Sequence, residues 1–231
     1  MADSTWVTIA LIGLTATILV LSGIKKKASL GIVVAVVLII VAVWLKQTSF
    51  AQMGFFPPEN WLTTVLLGLA IGSGLSLLSI VVIQPLAERI TKQPHDVQMV
   101  EGVRGNWKAL LSWLVLVWTI VAFGEELLFH GFLLSQVIKL LGTTILALVV
   151  NVLFNSIVFG LAHAYQGRSG AWSTGIVGAC LCALFMVSGN NLWLPIVAHG
   201  AIDTFELVLM SLGADKRLRE LIWKQVPQPA G

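Results

Sequence analysis

Seven ionisable side chains interrupt long apolar runs in the second half of the chain. They are Glu125, Glu126, His130, His163, His199, Asp203 and Glu206. A charge at the centre of a bilayer costs roughly 2.5–3.5 kcal/mol on insertion scales, so groups retained there are functional candidates. Several have a partner four positions away, which places both on one helix face. These pairs are Glu126 with His130, Phe159 with His163, and His199 with Asp203. The spacing predicts that three helices direct carboxylates and imidazoles into one cavity.

The composition places these residues in a membrane protein. Of 231 residues, 57% are hydrophobic and 11% are charged, and the mean hydropathy is +0.92. Soluble domains carry roughly a quarter charged residues, so an ordinary soluble domain is excluded. Cys180 and Cys182 are two residues apart in an apolar run, where a helix directs them away from each other. We expect them to be small buried hydrophobic residues and not a disulfide.

Seven apolar segments are long enough to cross a bilayer core, which needs roughly 20 residues. They are 6–24, 28–45, 62–86, 109–141, 143–166, 171–188 and 191–212. Backbone groups in hydrocarbon must pair internally, so each segment is predicted to be helical. The 109–141 segment is too long for one straight helix, and Gly124 is expected to bend or divide it. The sequence predicts one all-α domain over residues 1–231, a polytopic transmembrane helix bundle of seven to eight helices.

Basic residues predict the orientation. Twelve of the fourteen Lys and Arg residues fall in four segments that alternating spans would place on one side, namely 25–27, 87–108, 167–170 and 213–231. By the positive-inside rule this side is cytoplasmic, the N-terminus is outside, and 213–231 is a basic cytoplasmic tail at the lipid headgroups. No basic residue precedes Trp6, so we expect 6–24 to be a retained helix and not a signal peptide. This distribution indicates membrane topology, and no nucleic-acid partner is expected.

Three short motifs resemble those of a known family. The segments EELLFHG (125–131), FGLAH (159–163) and HGAID (199–203) are similar to the motifs EExxxR, FxxxH and HxxxN/D of the CPBP intramembrane proteases. This family, also called Abi, includes type II CAAX prenyl endopeptidases and bacteriocin-processing enzymes. The resemblance covers a catalytic core at roughly 109–212, with a weaker similarity at GFFP (54–57).

His130 stands where the family motif has Arg. A histidine can lose its charge and an arginine cannot, so a Glu126–His130 contact would depend on histidine protonation. Activity is therefore expected to fall as His130 deprotonates.

The resemblance implies a role for each motif residue. Glu125 would be the general base, with His163 sharing the attacking water. His199 would donate to the oxyanion or the scissile carbonyl, and Asp203 would fix its tautomer. Glu126 and His130 would orient Glu125, and Phe159 would wedge the His163 imidazole and exclude bulk water. The motifs hold no Ser or Cys beside a candidate base, so covalent catalysis is not expected.

A metal mechanism would use nearly the same residues. Glu125, His163 and His199 would form the His/His/carboxylate set of catalytic zinc sites, and proteins of this family are often labelled metalloproteases. No HExxH pair is present, however, and the ligands would come from three separate helices. The glutamate mechanism is favoured and no cofactor is expected, with a divalent metal such as zinc as the alternative.

The predicted depths of Glu125 and His163 conflict with this arrangement. If residue 109 starts at the cytoplasmic surface, a continuous helix places Glu125 about 24 Å deep, whereas His163 is close to the cytoplasmic end of its span. The conflict requires a bend near Gly124, a deeper start of the segment, or a different topology.

The sequence favours an intramembrane endopeptidase that cuts a membrane-anchored or lipidated peptide near the cytoplasmic face. Its expected partners are membrane lipid and a peptide or lipidated protein substrate. A bacterial chain would favour a leader peptide or a membrane-bound regulator over a prenylated protein. A non-catalytic immunity or scaffold protein of the same fold is the main alternative. A proton-coupled transporter is disfavoured because residues 6–86 hold no comparable polar path.

Overall fold

The computed structural model describes residues 2–223, a range that contains eight helices and no β-strand. The helices are α1 (Ala2–Ile24), α2 (Ala28–Trp44), α3 (Trp61–Thr91), α4 (Trp107–Leu141), α5 (Ile145–Ala162), α6 (Gly167–Val187), α7 (Trp193–Ser211) and α8 (Ala214–Ile222). The predicted all-α class and the number of helices are confirmed. Residues 224–231 of the predicted basic tail, including Lys224, lie outside the described residues.

The helices have the length and surface of a membrane protein. Among the residues described, six helices are long and apolar enough to cross a bilayer, and α2 is a shorter apolar helix. Large aliphatic side chains point outward, and Ile145, Leu146 and Leu62 are 84%, 74% and 69% exposed. Such a surface is stable against lipid and not against water. The protein is therefore an integral membrane protein.

Polar caps define where three of these helices begin. The Asn60 side chain accepts a hydrogen bond from the Thr63 backbone N–H at 3.0 Å, immediately before α3. Asn106 does the same for α4, and the Thr144 hydroxyl does so for α5. Each cap satisfies one of the backbone donors that a helix leaves unpaired in its first turn.

Four connecting segments, three of them basic, meet on one face of the bundle, as the alternation of spans predicted. Lys26 Nζ lies 3.9 Å from Asp96 Oδ2, and the Asp96 backbone N–H donates to the Gln166 carbonyl at 3.0 Å. The Gly105 N–H donates to the Ser211 carbonyl, also at 3.0 Å. We call this side, formed by residues 25–27, 92–106, 163–166 and 212–223, the basic face. That it is cytoplasmic, with the N-terminus outside, stays a prediction from the positive-inside rule.

Helices α3 and α7 run parallel in close contact, which fixes the position of the last motif. The Trp61 and Trp193 rings lie 5.0 Å apart at their first turns. Further along, a Cβ atom at Gly68 would lie 2.6 Å from Val197, and one at Gly72 would lie 2.2 Å from the Ala198 carbonyl oxygen. Small residues let the backbones approach this closely. The surface of α7 that carries His199 is thereby held against the bundle.

Helix α4 is continuous through Gly124, so of the bend or division predicted there, the division is absent. Two π-helical segments, Val117–Val121 and Glu126–Leu134, replace the break. Such segments widen the helix and free backbone carbonyls, and they are frequent at functional sites. Here the Leu134 carbonyl accepts from Asn151 Nδ2 of α5 at 3.0 Å, and Ser135 Oγ donates to the Gly131 carbonyl. Side chains thus satisfy the widened part of α4.

The depth conflict disappears once the length of α4 is considered. Its 35 residues would extend about 52 Å at 1.5 Å per residue, far more than the roughly 30 Å bilayer core. Because α4 exceeds the core by about 20 Å, the distance counted from residue 109 is not the depth of Glu125 in the core. Counted from the turn at 142–144, Glu125 and His163 are about 24 and 27 Å away along their helices. The two residues reach the same level.

Candidate active site

Glu125 of α4 and His163, the residue that ends α5, face each other in the interior. His163 Nε2 lies 3.4 Å from Glu125 Oε2, and both residues are buried. The His163 Nδ1–H donates to the Phe159 carbonyl at 2.8 Å, because a carbonyl oxygen can only accept. In a neutral ring, Nε2 is then an acceptor that faces a carboxylate oxygen. Two acceptors at this distance must share a proton or the hydrogens of a water molecule.

Phe159 packs directly on this histidine. Its ring centroid lies 4.6 Å from that of His163 and 4.7 Å from that of Phe129, which it meets edge to face. On its other side a Cβ atom at Gly178 would lie 2.8 Å from the Phe159 ring, so α6 leaves no free space there. Phe159 therefore fixes the plane of the His163 imidazole on one side.

Glu126 joins two histidines from different helices. It is fully buried, and its Oε2 atom accepts from His130 Nδ1 at 2.6 Å. Its other oxygen, Oε1, accepts from His199 Nδ1 of α7 at 2.7 Å. Short bonds to a carboxylate are among the strongest hydrogen bonds in proteins. Glu126 thus connects α4 to α7, and the structure brings it together with His130 and His199.

Asp203 does not make the hydrogen bond to His199 that the sequence predicted. Its Oδ2 atom lies 3.7 Å from His199 Nε2, beyond hydrogen-bond distance. Sequence reasoning gave Asp203 the task of fixing the His199 tautomer, but the structure gives this contact to Glu126. Because one carboxylate faces each ring nitrogen of His199, the ring can carry a proton on both. Only in that form can Nε2 donate a hydrogen bond, since Nδ1–H is already used.

Glu206 is the one candidate that the structure separates from the cluster. Its Oε1 atom accepts from Gln84 Nε2 of α3 at 3.4 Å, and Gln84 also bonds to Ser79 Oγ. Sequence reasoning did not include Gln84, because a lone glutamine in an apolar run has no motif. Glu206 is thereby assigned to a separate polar contact between α3 and α7.

Tyr165 is a site residue that sequence reasoning missed. Its ring centroid lies 5.6 Å from that of His163, and it lines a small cavity together with Glu125 and His163. A signal was available, since Tyr165 is the single tyrosine of the chain and follows His163 by two residues. The remaining walls of this cavity are mostly apolar and come from Leu19, Ser22, Ile32, Phe129 and Ala162.

An aromatic cluster covers the opposite side of the bundle. The Phe55 ring lies 5.6 Å from Phe123 of α4 and 5.1 Å from Trp193 at the start of α7. Gly54 adopts a positive φ of 83°, and its carbonyl accepts from the Leu192 N–H at 2.9 Å. The GFFP segment thus packs on the end of α7 that leads to His199.

On the basic face, His95 is neutral and Arg104 is paired with Asp215. Burial lowers the pKa of His95 to about 4, while neighbouring Glu88 opposes this shift. Arg104 holds Asp215 in a two-pronged ion pair at 2.9 and 2.7 Å. The hydrogen bonds from Arg104 keep the pKa of the Asp215 carboxyl below its usual range, against the opposing effect of burial. The loop between α3 and α4 is thereby fixed to the start of α8.

The residues do not fit a metal ion in this arrangement. Among residues 2–223, no group of three or more His, Cys, Asp or Glu side chains is arranged to hold one. Of the predicted set, Glu125 and His163 are neighbours, but the His199 nitrogens face Glu126 and Asp203 instead.

Fold and site together define a class: polytopic α-helical membrane proteins with a buried cluster of glutamates and histidines from three helices. Within that class, residues 107–205 match the family model described as type II CAAX prenyl endopeptidase Rce1-like. The match includes all three motifs and confirms the resemblance to the CPBP proteases. It supports a CAAX-type intramembrane protease. No curated protein and no solved structure matches the chain.

Proposed function

We propose that this protein is an intramembrane endopeptidase that hydrolyses a peptide bond in a lipidated, CAAX-type substrate with a water activated by Glu125 and His163. The observation that carries the proposal is the 3.4 Å separation between Glu125 Oε2 and His163 Nε2. The Phe159 carbonyl fixes the histidine from behind, so two acceptors converge on one point. A water there could give one hydrogen to each and direct its oxygen at a carbonyl carbon.

The reaction then follows from the positions of the groups. The water oxygen attacks the scissile carbonyl carbon while its proton passes to the Glu125 carboxylate. The tetrahedral intermediate carries a negative oxygen, which accepts from the Nε2–H of a doubly protonated His199. Collapse breaks the C–N bond, and Glu125 returns the proton to the leaving amine. The second hydrogen of the water stays on the new carboxyl group, so the products are a carboxylic acid and an amine, with the enzyme unchanged.

Glu126 is proposed to act through His199. It holds Nδ1 of that ring at 2.7 Å, so the imidazole is oriented before the substrate arrives. Donors fixed in advance in a dry site stabilise developing charge most effectively. His130, held by the other oxygen of Glu126, would keep that carboxylate in place. Asp203 would favour the doubly protonated ring by its charge.

The proposed substrate class rests on the family match. The description of the matched family names CAAX prenyl endopeptidases, and a CAAX sequence is a C-terminal motif with a prenylated cysteine. The cavity beside Glu125 has a volume of about 20 Å³, room for about one water molecule, so it suits the attacking water and not the lipid. A prenylated protein or peptide held in the membrane is therefore the proposed partner.

Cleavage of a prenylated CAAX peptide by the protein in proteoliposomes tests the proposal. Glu125→Gln and His163→Ala should each lower the rate by about 10²-fold or more, as expected for loss of acid–base catalysis. Glu59→Gln, an exposed glutamate outside the cluster, is the matched control and should leave the rate unchanged. A wild-type protein that binds the peptide without cutting it, equally well after both substitutions, would support the scaffold alternative.

A metal mechanism is tested on the same preparation. Elemental analysis should find no stoichiometric zinc, and activity should survive a chelator. Stoichiometric metal with chelator-sensitive cleavage would replace the glutamate mechanism.

A further inference from the structure

A second, larger cleft opens on the basic face beside the catalytic cavity. It lies between the α1–α2 turn and the loop that follows α3, and it is lined by Lys26, Ser29, Asp96, Gln98, Met99 and Tyr165. Tyr165 also lines the cavity that contains Glu125 and His163. The cleft and the catalytic cavity are therefore neighbours separated by one side chain.

Chain connectivity limits how far Lys26 is from the catalytic pair. A Cβ atom at Gly23 would lie 2.2 Å from the carbonyl oxygen of Ala162, the residue before His163. Lys26 follows Gly23 by three residues, so its Cα is at most about 11 Å further on. A three-residue extended peptide spans about 10 Å. The cleft thus lies within reach of a peptide of about three residues that extends from the catalytic pair.

The backbone of Lys26 is fixed, but its charge is weakly paired. Lys26 adopts a left-handed conformation with φ of 54°, and its N–H donates to the Gly23 carbonyl at 3.1 Å. Its side chain is 69% exposed, and its partner Asp96 Oδ2 is 3.9 Å away. Such a long, exposed pair contributes little stability. A carboxylate from another molecule could therefore replace that of Asp96.

Other groups in the cleft suit the same ligand. The Ser29 hydroxyl and the Gln98 amide are hydrogen-bond donors, and a carboxylate accepts from such groups. Asp96 is the only acidic residue lining the cleft in the described part of the chain. Its side chain is also anchored locally, since Oδ1 accepts from the Gln98 backbone N–H at 2.9 Å.

We propose that this cleft binds the free C-terminal carboxylate of the substrate peptide and that Lys26 is its cationic partner. The inference rests on the proposed function, because a CAAX sequence ends three residues after its cysteine. Lys26 would measure the distance from the scissile bond to the chain end. It would make the enzyme select a peptide terminus over an internal sequence, while Asp96 holds the lysine until a substrate arrives.

The test compares two peptides that differ only in a free acid or an amide at the C-terminus. Wild type should cleave the acid about tenfold better in kcat/KM, the effect of roughly one charge-assisted hydrogen bond. Lys26→Gln should lose this preference by slowing the acid and leaving the amide unchanged. Lys46→Gln is the matched control, since Lys46 is exposed and has the same φ of 54° at the far end of α2. Asp96→Asn should increase the preference, because the competing charge is removed.

A binding experiment separates this inference from the proposed function. It measures the affinity of both peptides for the Glu125→Gln protein and for the double variant that also carries Lys26→Gln. Tighter binding of the acid that depends on Lys26 supports the carboxylate site even if the protein cuts no peptide. Equal binding and cleavage of the acid and the amide by the protein with Lys26 intact would overturn the inference. An acid preference that persists in Lys26→Gln would overturn it as well, and cleavage itself would still support the proposed function.

Discussion

Glu126→Gln is the substitution that most directly tests the arrangement of the site. Glutamine has nearly the shape of glutamate but offers one acceptor oxygen where the carboxylate offers two. Glu126 now accepts from both His130 and His199, at 2.6 and 2.7 Å. In the variant one of these imidazole N–H groups must face an amide NH2 group. One charge-assisted bond is lost, and the orientation of His199 is no longer fixed.

The size of the effect follows from that single bond. A hydrogen bond to a charged group contributes roughly 1.5–3 kcal/mol. At about 1.4 kcal/mol per tenfold in rate, cleavage should fall about 10- to 150-fold. The decrease should appear in kcat with KM little changed, because His199 acts on charge that develops only in the transition state. Glu125→Gln should be affected more strongly, since it removes the proposed base itself.

Steady-state cleavage of a prenylated peptide in proteoliposomes gives both constants, and thermal unfolding in detergent shows that the variant is folded. Glu59→Gln again serves as the control. A folded Glu126→Gln protein with wild-type kcat would refute the bridging role of Glu126. A change confined to KM would instead assign Glu126 to substrate binding.

Two further predictions concern stability. Gly72→Ala should lower the free energy of unfolding by roughly 1–3 kcal/mol, because the new Cβ would lie 2.2 Å from the immobile Ala198 carbonyl oxygen. Gly74→Ala is the control, since nothing lies within 4 Å of a Cβ there. This variant should leave the melting temperature unchanged or raise it. The wild-type protein should lose stability as the pH falls from about 6.5 to about 4. In the folded protein His95 stays neutral, because its pKa is about 4. In the unfolded chain the same histidine takes up a proton over this pH range, which favours unfolding. His95→Gln should flatten that part of the stability profile in thermal unfolding measured against pH, and an unaltered profile would contradict the assigned burial of His95.

Much of the fold could be predicted from the sequence because membrane helices follow local rules. A run of about 20 apolar residues can satisfy its backbone only as a helix, so the spans were found within a few residues. The exception was the segment around Gly124. There, of the bend or division expected, the division is absent: α4 is continuous with π-helical turns, and α5 supplies the Asn151 side chain that satisfies a freed carbonyl. A contact from another helix is not visible in the local pattern.

The sequence alone identified the ionisable groups of the candidate site. The cost of placing Glu125, Glu126, His163 and His199 in hydrocarbon marks them wherever the helices pack, and four-residue spacing pairs neighbours on one helix. The tertiary structure alone decided which group contacts which across helices. In the structure, His199 donates a hydrogen bond to Glu126 and not to Asp203. Glu206 lies apart from the cluster and accepts from Gln84. The Tyr165 ring lies beside that of His163. The reason is that spacing fixes the face of a helix, whereas rotation and depth relative to other helices depend on packing such as that of Gly68 and Gly72 against α7.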